Sequence, residues 1–220
     1  MNALPDDAES DLRDRRRAVR ELGAALRELT EAAVSTEVDT SILVEVAEQV
    51  RDLLPALAEV RRERGQLATV DDGQRPRRIY NPAAGPGNPI APPMRVEIVD
   101  GVAIGTCALG LTYEGPPSYA HGGISAMLLD QILGHAHAAN GKPGMTAKLA
   151  LRYRRPVPLE TPLRIVGRVV RADGRWTNSV ATISTADDPD TVLVEAEGAF
   201  VVPTAEQSQR LFGELQRLVR

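Results

Sequence analysis

The sequence predicts an α+β chain in which an antiparallel sheet wraps around one central helix, with a helical extension in front. Three observations point there. Residues 8–64 carry apolar side chains at helical spacing with almost no glycine. After residue 94, short apolar runs alternate with Asp-Gly turn signals. Between them sits one helix that is apolar around nearly its whole circumference.

The 220 residues suffice for one full domain plus an extension. Hydrophobic residues make up 43% and aromatics only 3%, so the core is built from Val, Leu, Ile and Ala. A formal charge of −4 argues against a nucleic-acid partner, which needs a basic face. The lone Cys107 excludes an internal disulfide and fits a reducing compartment. Asp6, Asp7, Glu9 and Asp11 are too charged for a signal peptide, and no apolar run approaches the ~20 residues of a membrane span. The expectation is a soluble cytoplasmic protein.

The extension, residues 1–72, reads as an αα-hairpin. Val19, Leu22, Leu26, Leu29 and Ala33 form one stripe, and Leu43, Val46, Val50, Leu53, Leu57 and Val60 a second. Ser35, Thr36, Asp39, Thr40 and Ser41 supply turn and N-cap chemistry between them, and Pro55 interrupts or kinks the second helix. The stripes face either an oligomer partner or the chain's own domain; periodicity alone does not choose. Arg15, Arg16 and Arg17 are interleaved with Asp11, Asp14 and Glu21 and read as a solvated face. Residues 73–93 hold six prolines and three glycines and read as a linker, with its second half ordered.

In the domain at 94–204, strands are expected at Met94–Val99, Val102–Leu111, Met145–Arg154, Leu163–Arg171, Trp176–Ser184 and Val192–Val202. Asp100-Gly101 and Asp173-Gly174 join neighbours as hairpin turns. The helix is expected over Ile124–Ala139 and buried on all sides, and a closing helix over 205–220.

The segment from His121 to Asp130 carries the chemistry. Gly122 and Gly123 open the helix, where backbone N–H groups and the positive end of the dipole can hold a developing oxyanion. Asp130 is costly in so apolar a helix unless it faces a polar cavity. Close packing at the glycines and a structural role for the carboxylate remain the alternatives.

His-Gly-Gly with an Asp nine residues after the His resembles the PaaI-like branch of hotdog-fold thioesterases. The strand Met145-Thr146-Ala147-Lys148-Leu149-Ala150-Leu151-Arg152-Tyr153 is similar to the strand after the central helix in mammalian thioesterase superfamily members. Asn88-Pro89-Ile90-Ala91-Pro92-Pro93 resembles the entry to that domain. The resemblance covers residues 81–202. It implies an acyl-coenzyme A thioesterase with Asp130 as general base or nucleophile, and Gly122 N–H on the thioester carbonyl. Gly123 would give backbone access, His121 would orient the carbonyl or a nearby hydrogen bond, and Thr146 of a partner subunit would hold the water. It implies a homodimer or dimer of dimers and no cofactor or metal.

Arg152, Arg154 and Arg155 are candidates for the phosphates of coenzyme A or for a solvated sheet edge. His135 and His137 point to different helix faces, so no shared metal is expected, and Cys107 reads as packed. A non-catalytic acyl-coenzyme A binder is the competing reading; a hotdog dehydratase or hydratase lacks its His–acid pairing here.

Overall fold

The computed structural model describes residues 6–71, 78–92, 94–141 and 144–210. Residues 73–77 and 93 of the expected linker, and the expected closing helix beyond 210, lie outside them. Residues 205–210 are helical.

The helices are α1 (Asp6–Ser35), α2 (Thr40–Asp52), α3 (Leu54–Ala58) and α4 (Gly122–Ala139). The strands are β1 (Arg95–Val99), β2 (Val102–Cys107), β3 (Met145–Tyr153), β4 (Leu163–Asp173), β5 (Trp176–Thr185) and β6 (Val194–Val201). They form a single six-stranded sheet in the order β1-β2-β4-β5-β6-β3, antiparallel at every pairing. Asp100 and Gly101 both take positive φ, 49° and 77°, as a two-residue turn between right-twisted strands requires.

The sheet curls around α4, which crosses β4 and β5 with β2 and β6 alongside: a hotdog fold. Leu128, Leu129, Ile132, Leu133 and Ala136 are fully buried against Ile165, Ile183, Val194 and Phe200. The helix presses close because the sheet offers glycine beneath it. A Cβ on Gly167 would stand 3.1 Å from the Ile132 carbonyl oxygen, and one on Gly198 2.9 Å from Leu133 Cδ1.

Two expectations need correction. The central helix is not buried on all sides. Met127, Asp130, Gln131, Gly134 and His135 are only half-buried in the single chain. Apolar periodicity marks the faces that favour burial and does not say what covers them.

Nor does the extension pack as a hairpin. Pro55 splits the second helix as expected, ending α2 at Asp52 and opening α3 at its first turn. α1, however, docks on the domain and not on α2. Gly23 is buried against Pro86 and Gly87, and Arg27 Nη1 donates to the carbonyl oxygens of Pro86 and Asn88, both at 3.0 Å. Glu31 receives the Leu111 N–H at 2.7 Å, the Thr112 N–H at 3.1 Å and the Thr112 hydroxyl at 2.7 Å. It thereby caps the short 3-10 turn Leu111–Tyr113. α2 buries none of its residues.

Among the described residues, no helix is long and apolar enough to cross a membrane.

Two predictions follow from this packing. Gly167→Ala forces a methyl against backbone, so stability should fall by about 1–3 kcal/mol in chemical denaturation. Burial raises the Glu31 carboxyl, but the three donors outweigh it and hold it below the usual carboxylate range. A depressed carboxylate stabilises above its unfolded pKa, and that stabilisation fades as pH falls through the folded pKa. Glu31→Ala should therefore cost about 1–3 kcal/mol at neutral pH. Melting curves should show the gap between wild type and variant narrowing below the usual glutamate range; a gap constant with pH would rule the latch out.

Candidate active site

Asp130 sits in the third turn of α4, on its half-buried side. Thr146 Oγ1 donates to Asp130 Oδ1 at 2.8 Å within the same chain. This differs from the expected arrangement, in which Thr146 came from a partner subunit. The reason is a bulge. β3 pairs regularly with β6 from Lys148 to Tyr153, but Thr146 pairs with Phe200 while Lys148 pairs with Ala199, so Ala147 is extra. Leu149 and Leu151 pack on the core. Strict alternation from them would aim Met145 and Ala147 inward and Thr146 away. The bulge reverses the count, and Thr146 lies opposite buried Phe200, on the helix side.

The N-terminus of α4 is a second cluster. His121 is its N-cap, and its Nδ1 accepts the Gly123 N–H at 3.0 Å. A ring nitrogen that accepts carries no proton, so neutral His121 bears its proton on Nε2. The Gly123 N–H is thus engaged, whereas the Gly122 N–H at the first helical position makes no hydrogen bond among the described residues. The chain arrives here rigidly: His121 N–H donates to the Tyr113 carbonyl at 2.8 Å, and Ala120 N–H to that of Val157 at 2.9 Å. Tyr153, at the far end of β3 and not foreseen as a site residue, donates its hydroxyl to the Gly122 carbonyl at 2.9 Å. A Cβ on Gly122 would meet the Tyr153 ring at an ordinary 3.4 Å, so nothing among the described residues demands glycine there.

The two clusters are held apart. Gly122 and Asp130 are eight residues apart on one helix, or about 12 Å at 1.5 Å per residue. One chain alone does not bring a carbonyl-polarising N–H and this carboxylate onto one reacting centre.

Arg152 and Arg154 reach Glu195 on β6, at 3.5 and 2.8 Å. The hydrogen bond from Arg154 holds the Glu195 carboxyl below its ordinary value. Arg155 makes no ion pair among the described residues. Two of the three arginines thus share one carboxylate, and none lies at the Asp130 end of β3. His135 Nε2 lies 3.1 Å from Gln131 Nε2, and His137 stacks on Phe200 in the core with centroids 5.0 Å apart. Burial pushes the Cys107 thiol up to about 12, so it stays protonated at neutral pH.

Residues 118–196, which contain both clusters, match the thioesterase superfamily model. The mouse acyl-coenzyme A thioesterase THEM4 is 30% identical over 92 residues, 42% of this chain and 39% of that protein. Its Xenopus laevis counterpart is 32% identical over 88 residues, 40% and 39% of the two chains. The chain therefore spans about two fifths of the length of these curated relatives. A solved thioesterase superfamily protein is 36% identical with a TM-score of 0.72; the match covers 83% of this chain and 94% of that one. At that identity and coverage, the chain belongs to the thioesterase superfamily.

Proposed function

We propose that this protein hydrolyses acyl-coenzyme A thioesters to the free acid and coenzyme A, as a PaaI-like hotdog enzyme whose site forms between two copies of the chain. The observation that carries the reading is the Asp130–Thr146 pair, a carboxylate oriented by a hydroxyl on the half-exposed face of an otherwise apolar helix. A protein that only bound the ester has no use for that carboxylate. The named activity of the THEM4 relatives supports the substrate class.

The geometry supports a division of labour. Thr146 occupies Oδ1 of Asp130, which fixes the carboxylate plane and leaves Oδ2 for water. Asp130 takes a proton as the water oxygen attacks the thioester carbonyl carbon; direct attack by the carboxylate is the alternative. Charge develops on the carbonyl oxygen, and the Gly122 N–H of the second copy, with its helix dipole, stabilises it. The C–S bond then breaks, the sulfur leaves as a thiolate, and the acid is released. A two-fold axis beside α4 and the β3 edge would bring each Gly122 to the other copy's Asp130. β3 is an exposed edge strand, with Met145 at 46% and Tyr153 at 54% exposure. Such an edge invites pairing. Gly123 offers backbone access beside the Nε2–H of His121, and Arg152, Arg154 and Arg155 line the same end as candidates for the coenzyme A phosphates. The lone cysteine supports a cytoplasmic location.

Thiol release should be measured across short, long and aryl acyl-coenzyme A thioesters. Binding without release of any of them would favour the non-catalytic reading. Asp130→Asn should retain the fold and lower turnover at least ~100-fold, the lower end for loss of a general base.

The shared site makes a sharper expectation. Proline is tolerated at the first helical position and has no N–H, so Gly122→Pro should remove the donor while keeping α4, at a cost of about 100-fold or more in turnover. When Asp130→Asn and Gly122→Pro chains are refolded together, about half the dimers are mixed and each gains one intact site, restoring about a quarter of wild-type activity. Asp130→Asn mixed with Thr146→Ala should restore nothing above the average of the two, because both lesions belong to the same half-site. The reverse pattern would refute this partition.

A further inference from the structure

On the other side of α4 lies a cleft that the thioesterase reading does not use. Its described walls are α1, residues 70–71 and 78–86, β1 and the Gln131–His135 turn of α4, and its volume is about 570 Å³. That volume is within the ~300–1,000 Å³ of small-molecule sites. It is separate from the catalytic carboxylate by the geometry of the helix. Residues 130 and 131 project about 100° apart. Asp130 turns to Thr146 on β3, while Gln131 and His135, one turn apart, turn to β1 at the opposite edge of the sheet.

Four arginines line the cleft, Arg16 and Arg20 from α1, Arg78 from the linker and Arg95 from β1, against two carboxylates, Asp71 and Glu97. The chain as a whole carries a formal charge of −4, whereas the described lining of the cleft holds more arginines than carboxylates. Arg16 is anchored through Nε to the Val70 carbonyl oxygen at 2.8 Å, and Asp71 Oδ1 accepts the Ile79 N–H at 2.9 Å. Arg20, Arg78 and Arg95 make no ion pair among the described residues, although Glu97 lines the same cleft. Three arginines from three different segments therefore line one cleft, and none of them forms an ion pair among the described residues. Val70, Ile79, Met94 and Val96, all buried, supply an apolar floor.

We propose that this cleft binds a phosphorylated small molecule, its dianionic phosphate held by Arg20, Arg78 and Arg95. The forked donors of arginine match phosphate oxygens. The body of the ligand lies on the apolar floor, and Glu97 is placed to accept a hydroxyl or amine from it. A long polyanion is disfavoured, because two carboxylates line the same cleft. The site is built jointly by the helical extension and the domain, and it does not depend on the thioesterase reading.

The test is isothermal titration of the full chain at constant ionic strength with inorganic phosphate, glycerol 3-phosphate and citrate. Saturable binding of one glycerol 3-phosphate per chain is expected, with citrate at least about tenfold weaker. Arg20→Gln and Arg95→Gln should each weaken it by about tenfold or more, the effect of losing a charge-assisted hydrogen bond. Both side chains are exposed, so folding should survive, and the melting temperature of each variant checks it. Arg20→Lys keeps the charge but loses the fork and should show an intermediate loss. Asp130→Asn, and Arg171→Gln on the distant β4–β5 hairpin, should bind as wild type does. No saturable binding up to about 10 mM of any probe, affinity unchanged in both glutamine variants, or citrate binding as tightly as the phosphates would each overturn the proposal.

Discussion

The seating of α4 on the sheet fixes the position of every group that bears on function. Leu128, Leu129, Ile132 and Leu133 are fully buried, and each such side chain contributes about 1.5–3 kcal/mol. Those four define one stripe, so the rotation of the helix about its axis is set by several kcal/mol. The glycines at 167 and 198 remove the side chains that would hold the helix off. With rotation and depth fixed, Asp130 emerges toward β3, and Gln131 and His135 toward β1. Neither side is a choice made locally at those residues.

The same rigidity separates the two halves of the chemistry. A straight helix cannot shorten the roughly 12 Å between Gly122 and Asp130. Yet each end is prepared in detail. Thr146 orients the carboxylate at one end. At the other, Tyr153 and His121 occupy the Gly122 carbonyl and the Gly123 N–H, leaving the Gly122 N–H as the open donor. Under the proposed function these two clusters are half-sites on one helix, beside an exposed edge strand, that an antiparallel copy of that helix would complete. The half-exposure of Met127, Asp130 and Gly134 fits the same arrangement.

Much of this was legible in the sequence, for identifiable reasons. Period-two runs and the Asp100-Gly101 turn give strands whose bounds fall within a few residues of the observed ones. Asp130 stood out because a carboxylate in an apolar helix is costly, and the paired glycines marked the helix start. The direction of Thr146 was not legible, because a bulge at Ala147 inverts the alternation and leaves no compositional trace. Tyr153 was missed for a related reason: its bond to the Gly122 carbonyl joins residues 31 apart, which no local pattern records. The burial of α4 was overread, since an apolar stripe looks the same whether its own chain or another covers it. Glu31 was invisible because a glutamate on a charged helix reads as a solvated side chain until its three donors are seen.

That glutamate also changes what the helical extension is. Arg16 and Arg20, near one end of α1, wall the cleft, and Glu31, roughly 16–22 Å further along at about 1.5 Å per residue, caps the turn Leu111–Tyr113. The carbonyl of Tyr113 in turn receives the N–H of His121, the N-cap of α4. One helix therefore braces both the wall of the cleft and the strap that delivers the chain to the N-terminus of α4. α2 and α3 share none of this: Leu53, Leu54 and Leu57 are more than half exposed and touch neither sheet nor α1 in any extended contact. The extension thus divides at Ser35 into a helix that belongs mechanically to the domain and a helical pair that does not. Removing residues before 36 and removing residues 40–58 are, in physical terms, different operations: the first strips the backbone of the Leu111–Tyr113 turn of its cap, and the second leaves every hydrogen bond around α4 in place.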